Sequence, residues 1–150
     1  MEKRFDEQMK LDLFDNRDVN QGNKLRTLRE FKCNIKQEDY LSYVKNVNVR
    51  KNITKLRLSA HNLPIEKGRY KRPEKIPPHL RLCDECNTNM IGDEFHIIMK
   101  CNKYEQIRAD FFEKMNNSEE SFSNLECHEK FVYIMKLNNE NKIDFFFVIY

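Results

Sequence analysis

The chain has 150 residues, a length that suits one domain or one domain with an attached arm. Hydrophobic residues make up 39% of the sequence and charged residues 34%, which leaves only a modest core. Three glycines and four prolines argue against an all-β sandwich and favour a mainly α fold. The five cysteines, an odd number, fit a reducing compartment better than a disulfide framework.

No apolar stretch of the sequence reaches the roughly 20 residues that a membrane-spanning helix needs. The first ten residues, MEKRFDEQMK, are too highly charged for a secretory signal peptide. We therefore expect a soluble intracellular protein, in the nucleus or the cytoplasm, that has no membrane partner.

The net charge is only +3, but the charged residues are distributed unevenly along the chain. Residues 45–82 contain eleven Lys or Arg against two Asp or Glu, whereas residues 83–150 contain seven against thirteen. A cationic block of this kind is suited to phosphate binding, because each neutralised phosphate releases condensed counterions. The alternative interpretation is a solvated basic face that the acidic C-terminal third balances.

Residues 1–48 are predicted to form a polar lead-in followed by a helical arm. Residues 1–20 show no apolar pattern. Beyond them, apolar residues recur every three or four positions in two stretches, which predicts two helices. The first stripe consists of Leu25, Leu28, Phe31 and Ile35. The second helix, over about residues 37–46, has a stripe of Tyr40, Leu41, Val44 and Val47.

Residues 49–150 are predicted to form one compact unit that contains a basic segment, a metal-binding knuckle and C-terminal helices. Residues 50–60 fit either a helix or a short strand, and we favour the helix. Pro64 predicts that this helix ends before it, because the residue preceding a proline is pushed out of helical geometry. Residues 68–72 are expected to form a turn before a proline-containing linker at residues 73–78.

Eight residues of the basic segment are predicted to contact a nucleic acid. On a helix, the cations of residues 50–57 would line much of the exposed side. Residues 69–72 combine cations with an aromatic ring, which suits them to holding a phosphate backbone and stacking a base. The predicted contacts are Arg50, Lys51, Lys55, Arg57, Arg69, Tyr70, Lys71 and Arg72. An ordinary surface loop with a half-buried tyrosine is the competing interpretation of residues 68–72.

Four residues have the spacing of metal ligands. Cys83, Cys86, His96 and Cys101 form the pattern C-x2-C-x9-H-x4-C. Two cysteines separated by two residues chelate a single ion, and a His and a Cys separated by four can return from one helical turn to complete a tetrahedron. Zn²⁺ prefers this ligand set, so the spacing predicts a structural zinc site.

Other interpretations of these residues are weaker. A redox C-x-x-C pair needs a stabilised thiolate, which Asp84 and Glu85 between the cysteines disfavour. Four protein ligands would leave no open position for water or substrate, so the ion is expected to stabilise the fold rather than to catalyse. Asp93 and Glu94 are better interpreted as acidic residues at the start of a helix than as catalytic carboxylates.

After the last cysteine, apolar residues at helical spacing predict one helix over about residues 104–115 and another over residues 131–137. The polar run at residues 115–124 is expected to form a loop. A final apolar run covers residues 143–150, and residues 145–150 are expected to bind a partner or to aggregate if they are left unburied. The predicted architecture is thus a helical domain with a small CCHC zinc knuckle, a helical arm before it and two or three helices after it.

Four stretches of the chain together resemble a known family. They are KLRTLREFK (24–32), ITKLRLSAHNLPIEKGRY (53–70), RLCDEC (81–86) and GDEFHIIMKCNKYEQIRADFF (92–112). In this order they resemble the C-terminal zinc-binding region of non-LTR retrotransposon endonuclease/reverse-transcriptase polyproteins, downstream of the polymerase. The resemblance covers most of residues 23–150. It implies that Cys83, Cys86, His96 and Cys101 hold zinc and that the chain derives from a retroelement.

The sequence has no Tyr-x-Asp-Asp-like polymerase motif and no set of spaced carboxylates for two-metal catalysis. We therefore do not expect an enzyme. The expected function is non-catalytic binding of RNA or DNA, through residues 50–72 and the knuckle. The alternative is a zinc-stabilised protein-interaction or scaffolding domain that docks on a reverse transcriptase or on a second copy of itself, without contacting nucleic acid.

Overall fold

A computed structural model describes residues 25–32 and 36–137. Within these ranges the fold is mainly α-helical, which confirms the predicted fold class. The helices are α1 (Arg26–Phe31), α2 (Tyr40–Tyr43), α3 (Val47–Arg57), α4 (Pro64–Tyr70), α5 (Glu94–Met99), α6 (Glu105–Ser118), α7 (Glu120–Ser123) and α8 (Cys127–Lys136). Two 3-10 turns, Pro78–Leu80 and Asn102–Tyr104, precede the metal-ligand segment and α6. The predictions for residues 1–20, Ile35 and residues 143–150 fall outside the described residues.

The lengths of the described helices can be compared with the thickness of a bilayer. The longest helix of the described ranges, α6, has 14 residues. None of the helices that the structure describes combines the length and the apolar composition that a membrane span requires.

A hydrophobic core surrounds α5. Four consecutive residues of this helix, 96–99, are buried, so α5 is enclosed by the rest of the fold. It packs against α8, while α1 packs against both α3 and α8. The fully enclosed apolar side chains include Ile53, Leu56, Ile97, Ile98, Phe131, Ile134 and Met135. Fully burying an aliphatic or aromatic side chain of this size stabilises a fold by roughly 1.5–3 kcal/mol.

The helix predicted over residues 50–60 is confirmed as α3, which begins slightly earlier. The side chain of Asn46 caps it by accepting hydrogen bonds from the N–H groups of Asn48 at 3.0 Å and Val49 at 3.3 Å. Val49, Ile53 and Leu56 form its buried face at helical spacing. The helix ends at residue 57, before Pro64, as the sequence predicted.

The prediction of one helix over residues 37–46 is wrong in extent. Only α2 is helical in this stretch, because Val44 adopts an extended conformation directly after it. Tyr40 and Val44 are buried as predicted. Val47, however, begins α3 and has 62% of its surface exposed, so it does not belong to the buried stripe.

The turn predicted at residues 68–72 starts later than expected. Gly68, Arg69 and Tyr70 form the last turn of α4, and the chain leaves the helix at Lys71. Pro64 occupies the first turn of α4, where its missing N–H costs no hydrogen bond.

The loop predicted at residues 115–124 is also wrong. Helix α6 continues to Ser118, and α7 follows almost at once. The cause is Phe122, which is fully buried and packs edge-on against Phe112 and Tyr133, with ring centroids 5.5 and 5.4 Å away. This aromatic contact packs the polar run of residues 115–124 against α6 and α8.

A short hairpin, residues 81–92, links α4 to α5; we call it the knuckle hairpin. Leu82 and Ile91 form an antiparallel bridge, and the N–H of Gly92 donates to the carbonyl of Arg81 at 2.9 Å. A Cβ at residue 92 would lie 2.7 Å from the Pro64 side chain and 3.0 Å from the Cα of Cys83. Glycine therefore lets the hairpin approach α4 closely.

Candidate metal centre and cationic surface

Cys83, Cys86, His96 and Cys101 converge at one point, with their ligand atoms all within 4.8 Å of one another. The sulfurs of Cys83 and Cys101 are 4.0 Å apart, and the Cys86 sulfur is 3.3 Å from Nε2 of His96. The four residues are therefore close enough to bind one metal ion, as their spacing predicted.

The backbone explains this convergence. Cys83 lies on the first arm of the knuckle hairpin, where its N–H donates to the carbonyl of Met90 at 2.8 Å. Asp93 caps α5 by accepting from the N–H of His96 at 2.8 Å, which fixes the histidine in the first turn. Cys101 follows the end of α5, and its N–H donates to the His96 carbonyl at 2.7 Å. One short helix thus brings the third and fourth ligands to the same side, as predicted.

The three thiols have different environments. Burial raises the pKa of Cys83 and raises the pKa of Cys101 to about 11. Cys86 is half-buried, and a hydrogen bond from the Thr88 hydroxyl, 3.0 Å away, lowers its pKa to about 6. A cation bound here would displace protons from the buried thiols and would balance the charge that they then carry.

His96 presents one nitrogen to the sulfurs. Its Nε2 faces Cys86, whereas its Nδ1 is buried and has no hydrogen-bond partner among the described residues. Nε2 is therefore the ligand atom that the arrangement offers to an ion.

Beside the metal centre lies a buried polar network that the sequence analysis missed. Glu94, 1% exposed, is its centre. One carboxylate oxygen accepts from the Ser59 hydroxyl at 2.8 Å and from Nε2 of His61 at 2.6 Å. The other accepts from Nε and NH2 of Arg26 at 3.1 and 2.6 Å, and Arg26 also binds Glu66 at 2.5 Å. We call these five residues the Glu94 network.

Electrostatics keep Glu94 charged within this network. Burial alone would raise the pKa of Glu94, but the hydrogen bond from His61 and the positive charge of Arg26 lower it to about 2. The Nδ1 of His61 accepts from the N–H of Leu63 at 3.3 Å, so the proton of a neutral His61 lies on Nε2. The carboxylate thus receives donors on both oxygens and joins α5 to α1 and to the α3–α4 connection.

The predicted nucleic-acid contacts divide into exposed and internal residues. Lys51, Lys55, Tyr70, Lys71 and Arg72 are exposed. Two others are partly withdrawn from solvent. Arg50 donates to the Leu41 carbonyl at 3.2 Å, and the side chain of Arg69 is only 11% exposed, with NH2 3.4 Å from Glu66.

The prediction that Arg57 lies on the exposed side of its helix is wrong. Arg57 is 1% exposed, because it follows the buried Ile53 by about one turn on the inner face of α3. Its guanidinium contacts the Glu38 carboxylate at 3.0 Å, the Leu137 carbonyl at 2.8 Å, and the rings of Tyr40 and Phe31 with centroids 4.5 and 5.3 Å away. Arg57 therefore acts within the core rather than at a phosphate.

Replacing Arg57 tests this assignment. We expect Arg57→Ala to destabilise the protein by about 3 kcal/mol, since it leaves a carboxylate and a carbonyl without their buried donor. The matched control is Lys55→Ala in the same helix, whose exposed side chain should contribute less than about 0.5 kcal/mol. Urea denaturation followed by circular dichroism measures both, and equal midpoints would contradict the internal role.

The metal centre and the exposed cations lie close together in the sequence. The four ligands lie within residues 83–101, and the exposed predicted contacts lie in residues 51–72, immediately before them. Comparison of the chain with protein-family models, with curated proteins and with solved structures gave no match.

Proposed function

We propose that this chain is a zinc-stabilised, non-catalytic module that binds RNA or DNA. The convergence of three thiols and one imidazole carries the proposal. Zn²⁺ prefers this donor set, and in a tetrahedron with Zn–S distances of about 2.3 Å two sulfurs lie about 3.8 Å apart. The 4.0 Å between the sulfurs of Cys83 and Cys101 is close to that spacing.

The surroundings favour a structural role for the ion. Four protein ligands close a tetrahedral site, and two of the sulfurs are buried. The neighbouring carboxylates have structural partners, since Asp93 caps α5 and Glu94 is held by Arg26 and His61. When bound, zinc would join the knuckle hairpin to both ends of α5 and so contribute to folding.

Nucleic-acid binding is supported by the charge that remains at the surface. Seven of the eleven Lys and Arg residues of 45–82 are exposed, although Arg57 and Arg81 are buried. Of the two acidic residues in that segment, Glu66 is buried against Arg26. The segment therefore still presents a strongly cationic surface, which favours association with a polyanion.

Charge removal tests this function. A variant with Lys51, Lys55, Lys71 and Arg72 changed to Ala should bind RNA and DNA oligonucleotides more weakly, whatever their sequence. If all four contact phosphates, the slope of log affinity against log salt should fall by about 3. Fluorescence anisotropy at several salt concentrations measures both quantities.

The matched control changes four exposed lysines outside the basic segment, Lys100, Lys103, Lys114 and Lys136. It should have a smaller effect on affinity and on the salt slope. Failure of the wild-type protein to bind any RNA or DNA at low salt would reject nucleic-acid binding altogether.

The retrotransposon resemblance supports an origin as an accessory module of a reverse-transcriptase lineage. Three of the resembling stretches supply the Glu94 network: Arg26 from the first, Ser59, His61 and Glu66 from the second, and Glu94 from the fourth. Their contact supports treating these stretches as one structural unit. A reverse transcriptase is accordingly the proposed protein partner.

Protein interaction is the second candidate, and an exposed apolar pair favours it. Tyr43 and Val47, near the junction of α2 and α3, have 65% and 62% of their surfaces exposed. Sedimentation at increasing concentration, with Tyr43→Ser and Val47→Ser for comparison, would show whether the pair mediates self-association.

A further inference from the structure

A groove with a volume of about 440 Å³ lies between α4 and residues 76–84; we call it the α4 groove. Its apolar and aromatic lining consists of Pro64, Tyr70, Ile76, Leu80 and Leu82. The volume falls within the range of roughly 300–1,000 Å³ in which small ligands or parts of larger ones bind. The groove opens to solvent beside the exposed cationic surface.

Hydrogen bonds hold the walls of the groove in place. Arg81 donates from Nε to the Ile76 carbonyl at 2.8 Å and from NH1 to the Ile65 carbonyl at 2.6 Å, which joins one wall to the other. The N–H of Ile76 also donates to the carbonyl of Gly68 at 2.9 Å. A Cβ at residue 68 would lie 2.6 Å from Cγ of Arg81. Glycine at this position therefore leaves room for the Arg81 side chain to pass. The groove is therefore formed before any ligand enters it.

The lining combines exposed apolar surface with positive charge. Tyr70 and Leu80 are 56% and 57% exposed, which leaves a flat ring and a branched side chain in contact with solvent. Lys67 and Lys71 lie one turn apart beside the ring. The lining includes one carboxylate, Asp84, which is 3.5 Å from Lys67 and itself exposed.

The combination of apolar surface and positive charge favours one class of ligand over others. A purely apolar protein segment would offer Lys71 no counter-charge, and a simple anion would leave the apolar walls uncovered. A nucleotide offers both a flat base and a phosphate. In a duplex the base is paired and stacked, so only an unpaired base can enter a groove of this kind.

We propose that the α4 groove receives one unpaired base of a single-stranded RNA or DNA, stacked on Tyr70, with adjoining phosphates at Lys67 and Lys71. This inference rests on the proposed function and narrows it from nucleic acids in general to single strands. Tyr70 supplies the stacking surface, and the neighbouring lysines orient the strand across the groove.

A binding experiment with three variants tests the proposal. The probe is a fluorescent twelve-residue oligouridylate, compared with an RNA duplex of the same length. Tyr70→Ala should weaken binding of the single strand roughly 5- to 100-fold, because base–aromatic stacking is lost. Tyr70→Phe keeps the ring and should bind like the wild type. Tyr43→Ala, which removes an exposed tyrosine at α2, should also bind like the wild type.

A second measurement needs no variant. Adding the oligouridylate should shift the backbone amide resonances of Gly68 and Ile76 but leave that of Asn48, at the start of α3, in place. Suppose that wild type and Tyr70→Ala bind with equal affinity, while the variant lacking Lys51, Lys55, Lys71 and Arg72 still binds more weakly. That result would overturn the proposal that the α4 groove receives a base, but it would leave the proposed function in place. Equal or tighter binding of the duplex would also overturn it, whereas no binding of either probe would reject the proposed function itself.

Discussion

Removal of the proposed zinc ion is expected to unfold the knuckle hairpin and to destabilise the protein by several kcal/mol. In isolated zinc-finger peptides, zinc binding contributes about 10–16 kcal/mol to the free energy of folding. Only part of that is expected here, because the helical core can remain folded without the ion. The hairpin has few bonds of its own. The backbone bonds that hold it include Cys83 N–H to the Met90 carbonyl, Gly92 N–H to Arg81, and Ile65 N–H to Gly92. Without the ion, the buried sulfurs of Cys83 and Cys101 would no longer be linked to His96 and Cys86.

Thermal melts by circular dichroism, with and without a chelator, measure this effect. Cys101→Ser should bind less zinc and melt like the chelated wild type. Cys127→Ser is the matched control, because Cys127 is a half-buried thiol outside the cluster. It should keep one zinc ion and the wild-type melting temperature. Equal zinc content and equal melting of the two variants would contradict the assignment of the ligands.

Glu94→Gln is expected to destabilise the protein by about 3 kcal/mol. The substitution keeps the shape of the side chain but removes the negative charge that faces Arg26. It also replaces one acceptor oxygen by an NH2 group that must face Arg26 or the donors Ser59 and His61. Glu113→Gln, an exposed position on α6, is the matched control and should change stability by less than about 0.5 kcal/mol.

The effect of Glu94→Gln should depend on pH. Because folding lowers the pKa of Glu94 from 4.5 to about 2, the folded protein binds fewer protons at this site than the unfolded chain. The stabilisation is therefore complete above about pH 5 and is lost as the pH falls toward 2. The difference in unfolding free energy between wild type and variant should shrink by about 1 kcal/mol between pH 7 and pH 4. Urea titrations at these pH values measure it. A constant difference would show that folding does not lower the pKa of Glu94, and a difference that grows toward pH 4 would show that folding raises it.

The parts of the fold that depend on nearby residues were predictable from sequence. The ligand pattern from Cys83 to Cys101 spans 19 residues, and the chain between the ligands is too short to scatter them widely. Helix α3 was predictable for a similar reason, since Val49, Ile53 and Leu56 repeat at the helical period.

The parts that depend on distant residues were not predictable. Arginines are ordinarily exposed, and Arg57 is internal because it binds the carbonyl of Leu137, 80 residues away. Arg26 and Glu94 are 68 residues apart in the chain. Neither local charge nor periodicity indicates such a pairing. Phe122 alone interrupts a polar run, and its burial follows from rings on α6 and α8.

The central claim is that one zinc ion binds the four clustered side chains, and zinc K-edge X-ray absorption of protein purified without added metal tests it most directly. The expected result is one zinc ion per chain, surrounded by three sulfurs at about 2.3 Å and one nitrogen at about 2.0–2.1 Å. Protein that is well folded but contains no zinc, or zinc whose first shell is oxygen and nitrogen without sulfur, would contradict the claim.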